Sequence, residues 1–456
     1  MRQVLIQKML ARGAFHLPVV QRPAPAQPCE TVVENDVPSR KLRLVLDRSR
    51  ELMATTEHRI AALSLYNQSI RSVSLDPNIR LAQTGMTHVC KKTPIIDQQQ
   101  TGTCWMQAGL SFLSVLAANK GLTLGFSSAY LAFFDKLDKA HTFLRFLKTD
   151  HDDRTLWHYL QDGPIQDGGT WPMFMRLIQT YGVVPLTSMP ETYQSTHSRH
   201  LNKYLNRYLR SVSRDVIDGQ IGEDDVMRRV HDALLRAYSI PPDTVALNEA
   251  AHGIDRKIAP SNMLALLHDD WKFVVLTHAP DREDGWYIGP YGNDPDNLWQ
   301  DRFCCVDMHV LVQSCIDQLA EGVPVWMSAD INHDFSSKSE MAAHNLHDTD
   351  TILGLTTRDS QNKIDRIRNR NTAPVHAMLF VGVTLDDATK EPARWLIQNS
   401  WGKGEKKSTG MVAASHEWFR EHVFQVAIRS RFARQLPAES GHRKLRPWDI
   451  FATVAK

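Results

Sequence analysis

At 456 residues, 42% hydrophobic and 23% charged, the chain has the make-up of a globular protein with core for roughly two or three domains. A formal net charge of +2 excludes bulk electrostatic attraction to nucleic acid or membrane, so any such role needs a local patch. No apolar run approaches the ~20 residues of a membrane helix. The six cysteines (Cys29, Cys90, Cys104, Cys304, Cys305, Cys315) have irregular spacing that suits neither a disulfide scaffold nor a metal centre; this points to a reducing, cytoplasmic setting.

Residues 1–40 read as an N-terminal extension. The first 29 carry Arg2, Lys8, Arg12 and Arg22 and no acid, which leaves two readings open. One is an organellar transit peptide; the other is a disordered tail, given Pro18, Pro23, Pro25 and Pro28. Residues 41–72 predict helix, with Leu42, Leu44, Val45, Leu46, Leu52, Ile60, Leu63 and Leu65 among many charges. Asp76-Pro77 breaks it, and 73–97 are expected to be extended or irregular.

The next stretch is Asp97-Gln-Gln-Gln-Thr-Gly-Thr-Cys-Trp-Met-Gln-Ala-Gly109. A polar turn delivers Cys104 to the start of an apolar run reaching Ala118, predicting a helix buried on most sides. A cysteine there lies at the positive end of the helix dipole, which favours the nucleophilic thiolate. Gln98 is near enough to donate to an oxyanion beside the sulfur. A buried structural cysteine is the other reading of this stretch alone.

Aromatic-rich helices are expected over Tyr130–Phe146 and Trp157–Leu160. Asp167-Gly-Gly-Thr-Trp-Pro172 then precedes a helix from Met173 to Tyr181 that Gly182 closes. Adjacent Gly168 and Gly169 let another backbone approach, which serves a substrate rim as well as a plain turn. Residues 196–239 predict helix, with Arg199, Lys203, Arg207, Arg210 and Arg214 on one stripe and Leu201, Leu205, Leu209 and Val212 opposite. The stripe reads as a solvated face or as a nucleic-acid contact. Residues 240–322 predict loops and helices.

From 323 the composition turns to strands: Val323–Asp330, Val375–Val383, Arg394–Gly402, Met411–Ala414 and Val423–Ile428. Helices first and sheet second make an α+β arrangement. His333, His344, His347 and Asp348 lie in a long polar loop with no rigid element to converge them, so no metal is expected. His376 stands early in one strand and Asn399 at the end of the next. Histidine can take the cysteine proton at neutral pH, and an asparagine oxygen can orient the ring. Trp401 can shield that hydrogen bond from water.

With Gln98, Gly102-Thr-Cys-Trp105, His376-Ala and Asn399-Ser-Trp-Gly402 in this order, the chain resembles the papain-like cysteine peptidases. It is more closely similar to their bleomycin hydrolase branch. That match rests on Asp167-Gly-Gly-Thr-Trp171, Tyr181-Gly-Val-Val-Pro185, Pro190-Glu-Thr-Tyr193, Val323–Asp330 with Asp334-Phe-Ser-Ser-Lys338, Glu417-Trp-Phe419 and Pro447-Trp-Asp449. The resemblance covers about residues 75–456. It implies a papain-like fold organised as an extension at 1–40, a helix and arm at 41–90, a helical lobe with the nucleophile at 91–195, a helical insertion at 196–322, a β-barrel-like lobe with His and Asn at 323–440, and a C-terminal arm at 441–456. It also implies a cysteine aminopeptidase of short or unfolded peptides, without cofactor, assembled as a homohexamer. In that reading Cys104 attacks, His376 shuttles the proton, Asn399 orients it, and Gln98 with the Cys104 backbone N–H forms the oxyanion hole. Gly168 and Gly169 bind the substrate backbone, and the arm ending in Ala455 and Lys456 enters the cleft to meet the substrate amine.

The chain departs from that pattern at several points. Asp97 stands where an asparagine is usual, and its charge, if turned into the site, opposes an oxyanion or favours cationic substrates. Gln107 stands where the branch has an aromatic residue and needs a buried hydrogen-bond partner. Thr101 replaces a cysteine of the secreted enzymes, as expected of an intracellular member. Lys456 lies one residue beyond the arm that fits and is expected to be trimmed. Competing readings are a catalytically weak scaffold or nucleic-acid-binding assembly, a cysteine acyltransferase, and a secreted endopeptidase with a propeptide at 1–90.

Overall fold

The apolar run after Cys104 folds as the helix Cys104–Asn119, in which every residue from Cys104 to Ala117 is buried. That continuous burial places it at the centre of the core rather than on its rim. The computed structural model describes residues 37–148, 153–249, 254–267, 270–289, 302–357, 362–402, 409–439 and 441–452. Its contacts divide into two units, Met1–Ser69 and Ile70–Lys456. The single helix expected over 41–72 is instead broken into three: Ile70–Val73 opens the second unit, and the first holds two, Val37–Met53 and Thr56–Asn67. Thr55 separates them, because its side chain accepts from His58 N and starts a new helix. Leu42, Leu44, Val45, Leu46, Ile60, Leu63 and Tyr66 are all exposed on this pair.

In the second unit, helices Ser128–Leu147 and Trp171–Tyr181 pack on the nucleophile helix, and Arg199–Ile217 and Glu223–Tyr238 pack in turn on Ser128–Leu147. Their ends follow from local chemistry. Ser127 and Thr170 cap two of them through their side chains, and Glu223, Asp224 and Asp225 stand at the positive end of the last. Gly182 closes Trp171–Tyr181 at a φ of 77°, where a Cβ would collide with the Pro260 backbone. Gly109 has no side chain because Phe174 occupies that space. Trp105, Phe112, Trp171, Phe174 and Trp326 belong to one continuous core joining helices to sheet.

The strands are β1 (His88–Val89), β2 (Val245–Glu249), β3 (Ile254–Ile258), β4 (Phe273–Thr277), β5 (Gly285–Ile288), β6 (Arg302–Cys305), β7 (Val325–Ala329), β8 (Phe335–Ser336), β9 (Met341–Ala342), β10 (His376–Leu385), β11 (Pro392–Gln398), β12 (Met411–Ser415), β13 (Val423–Arg429) and β14 (Arg443–Lys444). Among the described residues twelve of them join in one sheet of order 14-5-6-4-13-7-10-11-12-9-8, with β1 on β10, while β2 and β3 form a separate hairpin. The five expected strands are β7, β10, β11, β12 and β13. Segment 196–322 departs from the expected helical insertion: after Tyr238 it supplies β2 to β6, and β4 pairs with β13. The α+β order stands. Helices carry the cysteine, and the sheet carries the histidine and asparagine.

The five described cysteines are free and buried; Cys29 lies outside the described residues. No helix among these residues is long and apolar enough to cross a membrane.

Candidate active site

Cys104 is the first residue of its helix, and Thr103 before it makes no side-chain cap. The Met106 and Gln107 amides donate to the Thr103 carbonyl, and those of Cys104 and Trp105 serve the sulfur. Across the interface, the Ala377 N–H donates to Cys104 Sγ at 3.3 Å. Ala377 follows His376 at the start of β10, where His376 pairs with Ala329 of β7. The Trp326 indole N–H of β7 donates to the Trp105 carbonyl at 3.0 Å, fixing the helix on the sheet. Sequence positions 104 and 376 thus become neighbours through backbone bonds.

His376 Nε2 lies 2.9 Å from Asn399 Oδ1. That atom is the oxygen, because the Ser400 N–H, which can only donate, also points at it from 2.8 Å. An acceptor opposite Nε2 puts the ring proton there and leaves Nδ1 as the base. His376 and Asn399 are buried, and the Trp401 ring lies over the imidazole with centroids 4.9 Å apart. Trp401 itself is 38% exposed, so it stands between the pair and solvent. Burial pushes the Cys104 thiol up to about 11, opposed by donation from Ala377, Trp105 and its own amide. Burial likewise holds His376 down at about 4, opposed by Asn399. Desolvation thus favours the neutral thiol–imidazole form, and each donor acts toward the charged one.

Gln98 is clamped at both ends. Its Oε1 accepts from Ser400 Oγ at 2.7 Å, and its Nε2 donates to the Thr101 carbonyl at 2.9 Å. The Thr101 carbonyl, which can only accept, identifies the amide nitrogen and uses one of its two N–H groups, leaving the other for an oxyanion. Gln98 N donates to Ser400 O, and Gly402 N to Ile96 O, so this turn is zipped to the Asn399–Trp401 segment. Gln98→Ala is expected to lower kcat about 10²–10³-fold. Ser400→Ala, which frees the amide to rotate, is expected to lower it by a smaller factor with KM nearly unchanged; steady-state kinetics of both variants checks this.

Asp97 is exposed, and its carboxylate accepts from Gln99 N at 2.8 Å, closing a turn in which Gln99 has a φ of 52°. The charge is engaged in that turn. Gln107 is buried on the nucleophile helix, and its Oε1 lacks the expected partner among the described residues.

Gly168 and Gly169 are buried beside Trp105, and a Cβ on Gly169 would enter the indole. Asp167 before them was not singled out by sequence reasoning, yet it ties the site together. Its carbonyl accepts from Trp105 Nε1 at 2.6 Å. Its carboxylate accepts from Gly102 N (3.1 Å), Lys136 Nζ (3.0 Å), Asn202 Nδ2 (2.8 Å) and Ser198 Oγ. Lys139 Nζ adds bonds to the Gln166 and Gly168 carbonyls. The signal available was Asp135, Lys136 and Lys139, charges set among the aromatic and aliphatic residues of Ser128–Leu147.

The C-terminal arm is followed to residue 452. Lys444 pairs with Ile288 in β5, Phe451 is buried, Asp449 meets Arg282 at 3.4 Å, and Arg154 stacks on Trp448 at 4.0 Å. Ala455 and Lys456 lie outside the described residues. All five residues of the basic stripe are exposed; Arg210 donates to the Leu160 and Gln161 carbonyls and Arg214 pairs with Asp218. The loop histidines disperse: His333 binds the Asn371 carbonyl and His347 faces Ser74 Oγ.

Comparison with known proteins agrees with this geometry. The chain is 28% identical over 435 residues to Aminopeptidase C of Listeria monocytogenes, covering 89% of this chain and 97% of that protein. It is 29% identical over 389 residues to Aminopeptidase W of Lactobacillus delbrueckii, covering 78% and 86%. The crystal structure of PepW from Lactobacillus rhamnosis superposes with a TM-score of 0.80 at 23% identity, over 92% of this chain and all of that one, which establishes the shared fold. Residues 42–452 match the Peptidase C1-like family, and the chain belongs to that family.

Proposed function

We propose that this protein is a cysteine aminopeptidase that removes N-terminal residues from short or unfolded peptides. The observation that carries the reading is the pairing of Cys104 Sγ with the amide beside His376, whose Nε2 is held by Asn399. The names of its relatives, Aminopeptidase C and Aminopeptidase W, support it. In this reading His376 Nδ1 takes the Cys104 proton as Sγ adds to the scissile carbonyl. The oxyanion receives the free N–H of Gln98 and the Cys104 amide. The C–N bond breaks as His376 returns the proton to the leaving amine. Water then adds to the thioester, giving its proton to the imidazole, and the released thiolate recovers that proton.

The substrate backbone lies along Gly168 and Gly169. Because Lys139 already engages the Gly168 carbonyl, Gly169 carries more of that contact. The terminal carboxylate of the arm, after trimming of Lys456, pairs with the substrate amine and gives exopeptidase selectivity. Self-association into a homohexamer, with active sites facing an inner cavity, draws support from the exposed Leu42, Leu44, Val45, Ile60 and Leu63 of the N-terminal helices. The cytoplasm is the compartment proposed, on the free, buried cysteines.

The deciding experiment compares aminoacyl reporters with free and blocked amines. Only the free-amine substrate is expected to be cleaved; equal cleavage of both sinks the aminopeptidase assignment. A second reading, a catalytically weak member that binds nucleic acid, draws on the exposed Arg199, Lys203 and Arg207. It predicts that wild type and Cys104→Ala give the same background rate while retaining salt-sensitive nucleic-acid binding.

A further inference from the structure

Behind the triad lies a second group of chemistry-bearing side chains that the peptidase reaction does not use. Asp334 stands just before β8, His344 just after β9, and His422 ends the helix His416–His422. Asp334 and His344 flank one hairpin and His422 comes from a distant helix, and one ligand-capable atom from each of the three side chains lies within 4.8 Å of the others. His422 Nε2 is 3.8 Å from Asp334 Oδ2. We propose that Asp334, His344 and His422 form a site for a divalent transition-metal ion of the zinc class, which staples the β8–β9 hairpin to the helix behind the triad.

Three features carry this. The first is the donor set: two imidazoles and one carboxylate suit zinc and its neighbours, with water in the fourth position. A tetrahedral zinc with bonds of about 2.0–2.2 Å needs its ligand atoms roughly 3.4 Å apart. The Asp334–His422 pair is already close to that separation, and exposed His344 can close the remainder by rotating its side chain.

The second is the way the carboxylate is held. Asp334 has a φ of 52°, a strained conformation for a residue other than glycine, and Asn345 beside His344 has a φ of 60°. The loop carrying His344 is folded back onto the same carboxylate, which accepts from Asn345 N at 2.9 Å and His347 N at 3.1 Å. Backbone donors that orient a ligating carboxylate are what such a site requires.

The third is His422, which is 3% exposed, with Nδ1 buried and lacking a partner among the described residues. Trp418 and His333 pack on its ring, with centroids 5.7 and 6.3 Å away, and hold Nε2 at 3.8 Å from Asp334 Oδ2, which places Nε2 as a ligand. The site is separate from the catalytic one. Phe335, adjacent to Asp334, packs on Trp401 with centroids 6.0 Å apart, and Trp401 in turn covers His376. Fixing Asp334 therefore fixes the hydrophobic backing of the triad.

The test uses the full chain carrying Cys104→Ala, which removes the thiolate as a competing zinc ligand. After chelator treatment the protein is titrated with zinc chloride by calorimetry, and its unfolding temperature is followed in parallel. A single equivalent is expected to bind at micromolar concentration and to raise the unfolding temperature. Adding His344→Ala is expected to abolish both effects while leaving the metal-free unfolding temperature unchanged, because His344 is exposed. Asp334→Asn, which keeps an acceptor for one backbone N–H, is expected to lose zinc uptake as well. The same uptake with and without His344, or no uptake by the parent variant, overturns the proposal.

Discussion

Cys104→Ala is expected to leave a folded protein that hydrolyses aminoacyl reporters about 10⁶-fold more slowly in kcat, the scale seen when a relay loses its nucleophile. The substitution keeps a good helix former at the first helical position, so its structural effect is confined to the N–H groups that donate to the sulfur, that of Ala377 first. Leaving one such buried donor without its acceptor costs about 1–3 kcal/mol. His376→Ala is expected to lose nearly as much activity, and the double variant little more than either single one, because the two side chains carry one proton between them. Additive losses would mean that Cys104 and His376 act independently. The acid limb has a defined sign. Between about 4 and 11 the burial of both groups keeps one proton on the pair. As the pH falls toward about 4, His376 gains a second proton and can no longer accept that of Cys104, so the rate is expected to fall there.

This site was legible because each member carries its chemistry in its residue type and a local cue to its setting. Cys104 begins an apolar run, His376 opens a strand-like run, and Asn399 closes another. Chain order then restricts the combinations. The strands β4, β5 and β6 were not legible: they span only four or five residues, and β5 sits among polar and glycine-rich segments. Two-residue alternation over such lengths does not separate strand from loop. The helix break at Thr55 did leave a trace, since Thr55 with Glu57 in the first turn is a helix-start pattern. The metal-class trio was hidden differently. His344 was visible in its loop, but of the companions proposed for it Asp334 is brought near by the β8–β9 hairpin and His422 by tertiary packing. Asp135, Lys136 and Lys139 are charged residues in helix Ser128–Leu147, whose aromatic content alone was legible. They are buried, and what covers them comes from residues 165–169 and 198–202, about thirty and sixty positions away.

Asp167→Asn is therefore expected to destabilise the fold by about 3–5 kcal/mol, the range for removing one partner of a buried ion pair. Lys136, 1% exposed, would keep its charge without a counter-charge. The replacement is not conservative here. Every side-chain or backbone group facing the Asp167 carboxylate is a donor: Lys136 Nζ, Asn202 Nδ2, Ser198 Oγ and Gly102 N. An amide NH₂ placed among them leaves at least one donor facing another. Activity should fall with stability even in molecules that remain folded, because Gly102 precedes Cys104 by two residues and Trp105 is tied to the Asp167 carbonyl. The expected signature is a lower kcat with a smaller change in KM. Adding Lys136→Met to Asp167→Asn is expected to recover part of the stability, since it removes the stranded charge. The pH dependence separates the charge from mere packing. Burial raises the Asp167 carboxyl, but Lys136, then Ser198, Asn202 and Gly102, hold it well below the usual carboxylate range. A carboxyl depressed in the folded state contributes its stability above the unfolded value of about 3.9, and that contribution is lost as pH falls through and below it. Urea unfolding at pH 7 and near pH 3 should thus show the gap between wild type and Asp167→Asn narrowing with acid. An equal gap at both pH values would assign the residue a packing role and remove the charge from the account of how this loop holds the nucleophile.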